Sequence, residues 1–165
     1  MQKRYFRRNQ EIFPLLINQY PQCKLYVYGG GNTKNFPVPQ ELSGNIIIVG
    51  YVENLWQEIQ DKAIAVVPLR IGGGIRIKIL EFLATGQIII TTSIGKEGID
   101  VSNMQHLIIA DTVEDFVQRI IDLFENRINT DNMIINGKNY IRENYIWQVI
   151  AKKIENEYKN LMKDN

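Results

Sequence analysis

Apolar positions fall along the chain in two rhythms. Residues 25–28, 46–49, 64–67, 88–91 and 107–110 are short, continuously apolar runs rich in β-branched side chains, each followed by a turn signal. Continuous rather than alternating apolarity marks a strand covered on both faces, which is the parallel-sheet pattern. Between and after these runs a helical rhythm takes over. Leu15, Leu16 and Tyr20 predict a first helix that ends before Pro21. Leu55, Trp56 and Ile59 predict a short second helix, and Ile75, Ile79, Phe82 and Leu83 a third. Val113, Phe116, Val117, Ile120, Ile121 and Phe124 form the clearest stripe of the chain. Asp111 and Glu114, at its start, have the spacing of a capping box with Asp in place of Ser or Thr. Residues 139–162 read as helical, with a break near Asn144.

Strands that alternate with helices imply right-handed βαβ units. The expected fold is therefore α/β: a single Rossmann-like domain over residues 1–165, with a mainly parallel sheet and helices on both faces. No repeat, linker or low-complexity run divides it. Ligands in such sheets bind beyond the carboxyl ends of the strands. That directs attention to the loops at 29–35, 50–54, 68–74 and 92–98.

Composition narrows the chemistry. The chain is 45% hydrophobic and 22% charged, which excludes a disordered polymer. A formal net charge of +1 gives no footing for a protein built around nucleic-acid phosphates. One cysteine, Cys23, excludes an internal disulfide framework, and one histidine, His106, excludes a multi-histidine metal site. No metal site is expected. The longest apolar runs, such as 87–94, fall well short of the roughly 20 residues that cross a bilayer. The apolar stretch 12–17 is interrupted by Pro14 and lacks a cleavage site. These features predict a soluble, cytoplasmic protein. Lys3, Arg4, Arg7 and Arg8 could meet anionic lipid or simply lie in solvent.

The densest chemistry lies at residues 68–86. A strand ends at Pro68, Gly72, Gly73 and Gly74 follow, and a helix opens. Glycines let the backbone approach a ligand closely, and the start of a helix leaves N–H groups unpaired at the positive end of the dipole. Together they suit a phosphate. Arg76 and Lys78 add positive charge there, which is unfavourable at a helix N-terminus by about 0.3–1 kcal/mol unless an anion offsets it. Glu81, one turn deeper on nearly the same face as Lys78, is placed to accept hydrogen bonds from ribose hydroxyls. A tight connection and a plain surface pair of Lys78 with Glu81 would use the same residues.

Residues 68–86, followed by Gln87-Ile-Ile-Ile-Thr-Thr-Ser-Ile-Gly95-Lys-Glu97-Gly98-Ile99, resemble the donor half of GT-B fold glycosyltransferases, specifically the group 1 (family 4) retaining enzymes. The stretch from Pro21 to Gly30 resembles that family's helix-Pro-x-x-x-Leu-strand-Gly. Gly50-Tyr51-Val52 resembles its Gly-x-Val, and the tail with Tyr145-Ile146-Trp147 its closing helix. The resemblance implies a nucleotide-diphosphate sugar donor held by this domain. It implies transfer to an acceptor held by an N-terminal Rossmann-like domain or a separate partner chain, in cell-surface glycan synthesis and with no cofactor or metal. It also allows peripheral membrane contact of the complete enzyme.

Residue by residue, Glu81 matches the second glutamate of the family's Glu-x7-Glu motif, which holds the donor ribose. Gly73 and Gly74 match the loop whose backbone meets the diphosphate or sugar, and Arg76 and Lys78 match its basic positions. Gly30 lies at a strand end that faces the donor, and Tyr51 and Val52 lie where the base packs. Two departures stand out. Gly73 replaces the first glutamate of the motif. The acceptor domain and the first donor-domain strand are absent, so the chain resembles the C-terminal piece of a longer enzyme with little transferase activity alone. Arg4-Tyr5-Phe6 is a candidate substitute for that strand.

Among other residues, Glu97 and Arg70 are candidates for the donor cleft or for solvent. His106, Trp56 and Trp147 read as structural, Cys23 as a small hydrophobe, and Lys152 and Lys153 as solvated. The competing function is a non-catalytic nucleotide-binding module or a truncated remnant of such an enzyme. A dinucleotide oxidoreductase half fits less well, because the glycines follow the third visible strand and no acid ends a second strand about 20 residues on.

Overall fold

Five β-branched runs become five strands in the computed structural model, which describes residues 2–30 and 38–162. They are β1 (Leu25–Tyr28), β2 (Ile46–Gly50), β3 (Ile64–Val67), β4 (Ile88–Thr91) and β5 (Ile108–Ile109). The helices are α1 (Gln2–Gln19), α2 (Leu55–Ile59), α3 (Ile77–Thr85), α4 (Val113–Phe124), α5 (Asp131–Asn144) and α6 (Trp147–Leu161). All pairings are parallel, as continuous apolarity predicts. The expected single sheet is instead two: β1 pairs with β2, and β3, β4 and β5 form a second sheet in that order. A cavity of about 860 Å³, lined by residues of both β1 and β3, separates them.

Alternate residues of the strands feed two cores. Val27, Ile46, Val66, Ile90 and Ile108 face α1 and α4, where Ile12, Phe13, Leu16, Phe116 and Ile120 are buried. Ala65, Val67, Ile89 and Ile109 face the other way, toward Ile79 and Leu83 of α3 and Tyr140 and Ile141 of α5. The molecule is thus a helix–sheet–helix layering, with the strands' carboxyl ends forming one rim.

Several local expectations shift. Arg4, Tyr5 and Phe6 lie within α1 and form no strand. The helix runs on through Pro14 because Ile12, Phe13 and Leu16 present one buried face to α4, and that burial outweighs the hydrogen bond Pro removes. The cap of α4 is Thr112 with Asp115, not Asp111 with Glu114. The Thr112 hydroxyl accepts from the Asp115 N–H at 3.0 Å, and the Asp115 carboxylate accepts from the Thr112 N–H at 3.3 Å. Asp111 is engaged elsewhere, accepting from the Ser93 N–H at 2.8 Å and its hydroxyl at 2.6 Å. The tail breaks at Asn144 as expected, but α5 begins at Asp131, ahead of the predicted start. Trp147 is 82% exposed, so it is not a packing residue among the described residues.

Candidate functional site

Pro68 and Leu69 are buried at the end of β3, and the chain then turns outward through Gly72, Gly73 and Gly74. Gly74 has φ 82°, a left-handed conformation that favours glycine. A side chain at Gly73 or Gly74 would meet nothing within 4 Å, so this stretch of backbone is open to approach. Ile75 belongs to the loop rather than to α3. It packs its Cγ1 3.2 Å from the Cβ position of Gly98, tying the glycine loop to the turn that follows β4. Helix α3 therefore starts two residues later than its apolar spacing suggests, with Arg76 at the N-cap. No side chain caps this end, which leaves its first N–H groups for another partner.

Arg76 folds back over the loop. Its Nη1 donates to the Gly73 carbonyl at 2.6 Å and to the Gly74 carbonyl at 3.0 Å. Its Nε and Nη2 are shielded from solvent and have no hydrogen-bond partner among the described residues. The guanidinium lies so close to Gly72 that a Cβ there would collide with it. The first basic residue of the motif thus holds the loop as well as bringing charge to it.

Lys78, in the first turn of α3, makes an ion pair with Glu81 at 2.9 Å, and its ammonium lies 5.5 Å from the centre of the Trp56 ring. Trp56 in turn stands edge-on to Phe82 at 6.3 Å, so α2 and α3 carry the pair between them. Glu81 is partly exposed and has its acid group within reach of solvent. Tyr51, 75% exposed, follows β2, with Val52 half-buried beside it. Gly29 closes the end of β1 by donating its N–H to the Gly50 carbonyl at 2.8 Å, and Gly30 follows it at the surface. The remainder of the loop expected after β1, from Gly31 to Asn35, lies outside the described residues.

Of the other candidates, His106 and Cys23 take structural parts. His106 accepts from the Ser102 N–H through Nδ1 at 3.1 Å, and its ring stands 5.5 Å from Tyr140. Burial and a hydrogen bond with Tyr145 push the Tyr140 phenol up to about 12. Arg70 reaches Glu11 of α1 at 3.8 Å, and Glu97 is exposed in the turn after β4. Burial pushes the half-buried Cys23 thiol up, away from thiolate chemistry. No group of three or more His, Cys, Asp or Glu side chains is placed to hold a metal among the described residues. No described helix is long and apolar enough to cross a membrane. Sequence reasoning missed the Lys78–Trp56 contact and the fold-back of Arg76. Both depend on side-chain placement across elements, for which spacing carries no signal.

The fold has a close counterpart. The C-terminal domain of the glycosyl transferase group 1 family protein LpcC from Francisella tularensis superposes with a TM-score of 0.68 at 14% identity, covering 85% of this chain and 80% of that one. At that identity the likeness speaks for the fold, a GT-B C-terminal domain. An uncharacterized 44.6 kDa protein in the cps region of Klebsiella pneumoniae is 28% identical over 145 residues, covering 82% of this chain. The chain spans 37% of the length of that relative. The model of the glycosyl transferases group 1 matches residues 7–126, most of the chain and all of the glycine loop and α3, and the chain belongs to that family.

Proposed function

We propose that this chain is the donor-nucleotide half of a retaining, hexosyl-transferring glycosyltransferase. It would bind a nucleotide-diphosphate sugar for transfer to an acceptor held elsewhere. The observation that carries the reading is Arg76. Two of its guanidinium nitrogens are buried without a protein partner beside the open glycines and the uncapped start of α3. An unpaired buried donor costs about 1–3 kcal/mol, more when charged, and an anion relieves it. The helix N-terminus and Lys78 point to the same ligand charge.

The chemistry follows from position and charge. As the bond from the anomeric carbon to the diphosphate breaks, negative charge grows on the leaving oxygens. Amides of the loop and the α3 start, with Arg76 and Lys78, stabilise that charge more in the transition state than in the ground state. These fixed cations take the place of a metal. Glu81, released from Lys78 by the incoming diphosphate, accepts from the ribose hydroxyls. Tyr51 and Val52 border the base, and Gly30 the donor cleft. The acceptor and any general base come from an N-terminal domain or a partner chain, so this chain alone transfers little sugar. The cps-region relative supports a place in polysaccharide assembly, and a cytoplasmic setting with peripheral membrane contact suits that work. A non-catalytic nucleotide-binding module is favoured by one feature, Gly73 in place of the motif's first glutamate.

A thermal-shift panel of uridine, guanosine and adenosine diphosphates tests the reading. A ligand at 100 times its Kd should stabilise the fold by about 2.7 kcal/mol. A folded sample that responds to none of the three contradicts donor binding.

A further inference from the structure

A loop that seats a ligand through its own amides must be held at one place against the sheet. The bonds of Arg76 to the Gly73 and Gly74 carbonyls shape the glycine loop, but they run within it and do not fix it to the strands. Arg70 reaches Glu11 at 3.8 Å with both side chains exposed, a contact that contributes little. A firmer tie comes from the neighbouring strand. Thr91 and Thr92, at the end of β4, are both buried. The Thr91 hydroxyl donates to the carbonyl of Val67, the last residue of β3, at 3.0 Å. The Thr92 hydroxyl donates to the Leu69 carbonyl at 2.5 Å, two residues farther along, where the chain leaves the sheet for the glycines.

Thr92 is engaged from its other side as well. Its Oγ1 accepts from the Gly95 N–H at 2.9 Å and its carbonyl from the Lys96 N–H at 3.1 Å, so the turn at 93–98 is built on it. Gly95 is pressed so closely on the threonines that a Cβ there would collide with the Thr91 hydroxyl. The far end of the same turn meets the glycine loop again, where Ile75 packs on Gly98. Its near end is anchored by Asp111, which accepts from the Ser93 N–H and hydroxyl. One buried hydroxyl thus joins the exit of β3 to the turn after β4, and the two segments touch again at Ile75. We propose that Thr92 is the positioning residue of the diphosphate seat. It acts through the Leu69 carbonyl and the turn, and so sets where the Gly73 and Gly74 amides stand relative to the start of α3. A valine there keeps the shape and removes the hydroxyl, which leaves a buried carbonyl and a buried N–H unpaired. They regain partners only by moving, and the loop moves with them. The ligand in this proposal rests on the donor-binding reading, whereas the hold on the loop can be measured without one.

The test compares Thr92→Val and Thr92→Ser with the unsubstituted chain, at a temperature where circular dichroism shows each folded. Without nucleotide, NMR relaxation of the backbone amides of residues 70–76 reads the loop, with the amides of α4 as the rigid reference. Thr92→Val is expected to lower the loop order parameters toward the flexible range, below about 0.6, while α4 is unchanged and Thr92→Ser matches the unsubstituted chain. Binding is then measured with whichever of uridine, guanosine or adenosine diphosphate the unsubstituted chain holds most tightly, and with its monophosphate. Thr92→Val is expected to weaken the diphosphate about tenfold and the monophosphate less, and Thr92→Ser to restore both. A residue that only stabilised the fold would lower the melting temperature and leave the affinity of the folded protein as it was. Unchanged loop order parameters in Thr92→Val, or diphosphate affinity equal to that of the unsubstituted chain, overturns the proposal. So does failure of Thr92→Ser to restore it. A loop that loosens in Thr92→Val while the unsubstituted chain binds no nucleotide overturns the donor-binding reading and supports the hold of Thr92 on the loop. If Thr92→Val does not fold, Thr92→Ala, which leaves room for water to meet both polar groups, carries the same expectations and the same overturning results.

Discussion

Lys78 and Glu81 show what a ligand must change at this site. Their ion pair is partly exposed, and such pairs contribute about 0–1 kcal/mol, so breaking it for a ligand costs little. Glu81→Ala should therefore leave the melting temperature of the free protein nearly unchanged. It should weaken nucleoside diphosphate binding by about tenfold or more, since hydrogen bonds to a charged group contribute about 1.5–3 kcal/mol. Titration calorimetry on the two proteins measures both the loss and its selectivity for ribose over deoxyribose. Asp122 makes a separate, structural prediction. A hydrogen bond from Gln118, then Arg127 and Arg119, hold its carboxyl below the ordinary value. A lowered folded value favours the native state above the unfolded value and is lost as pH falls through it. Asp122→Asn should flatten the acid side of the stability curve below about pH 4, read from urea midpoints against pH. Residue types at the site were legible from sequence, because Gly, Arg, Lys and Glu each bring a fixed chemistry. The fold-back of Arg76 was not, because it follows from the backbone turn at Gly72 and Gly74.

The strands were legible because their apolar runs are continuous, and β1, β3 and β4 match the predicted bounds to the residue. Helix α5 was read late. Its first half, Asp131 to Lys138, holds two asparagines and a glycine, all weak helix formers. Tertiary packing supplies what propensity lacks: Gly137 lets α5 approach α3 so closely that a Cβ there would lie 2.9 Å from Leu83 Cδ2. Gly137→Ala should overpack this contact and destabilise the fold by about 1–3 kcal/mol, measured by chemical denaturation. Because Leu83 shares a helix with Lys78 and Glu81, the same variant reports whether the seating of α3 influences ligand binding. The cap of α4 was read one residue early, since Asp111 with Glu114 and Thr112 with Asp115 have the same spacing and only the demand of Ser93 on Asp111 separates them.

At the scale of the molecule, both faces of the sheet are covered, and the strands deliver their carboxyl ends to one rim where the glycine loop, α3 and Tyr51 gather. The α/β class and the order of its elements followed from the sequence. The split into two sheets did not, because an apolar run shows that a strand is covered on its faces and says nothing of the hydrogen bonds at its edges. The central claim is that the loop amides and the α3 start seat a diphosphate. Amide-resolved NMR of the folded chain, titrated with uridine, guanosine or adenosine diphosphate, tests it most directly. The account predicts that the largest shifts fall on Gly73, Gly74, Ile77 and Lys78, with the Arg76 side-chain Nε signal moving in step. Shifts that gather elsewhere on the surface, or none from any of the three nucleotides in a folded sample, would contradict it.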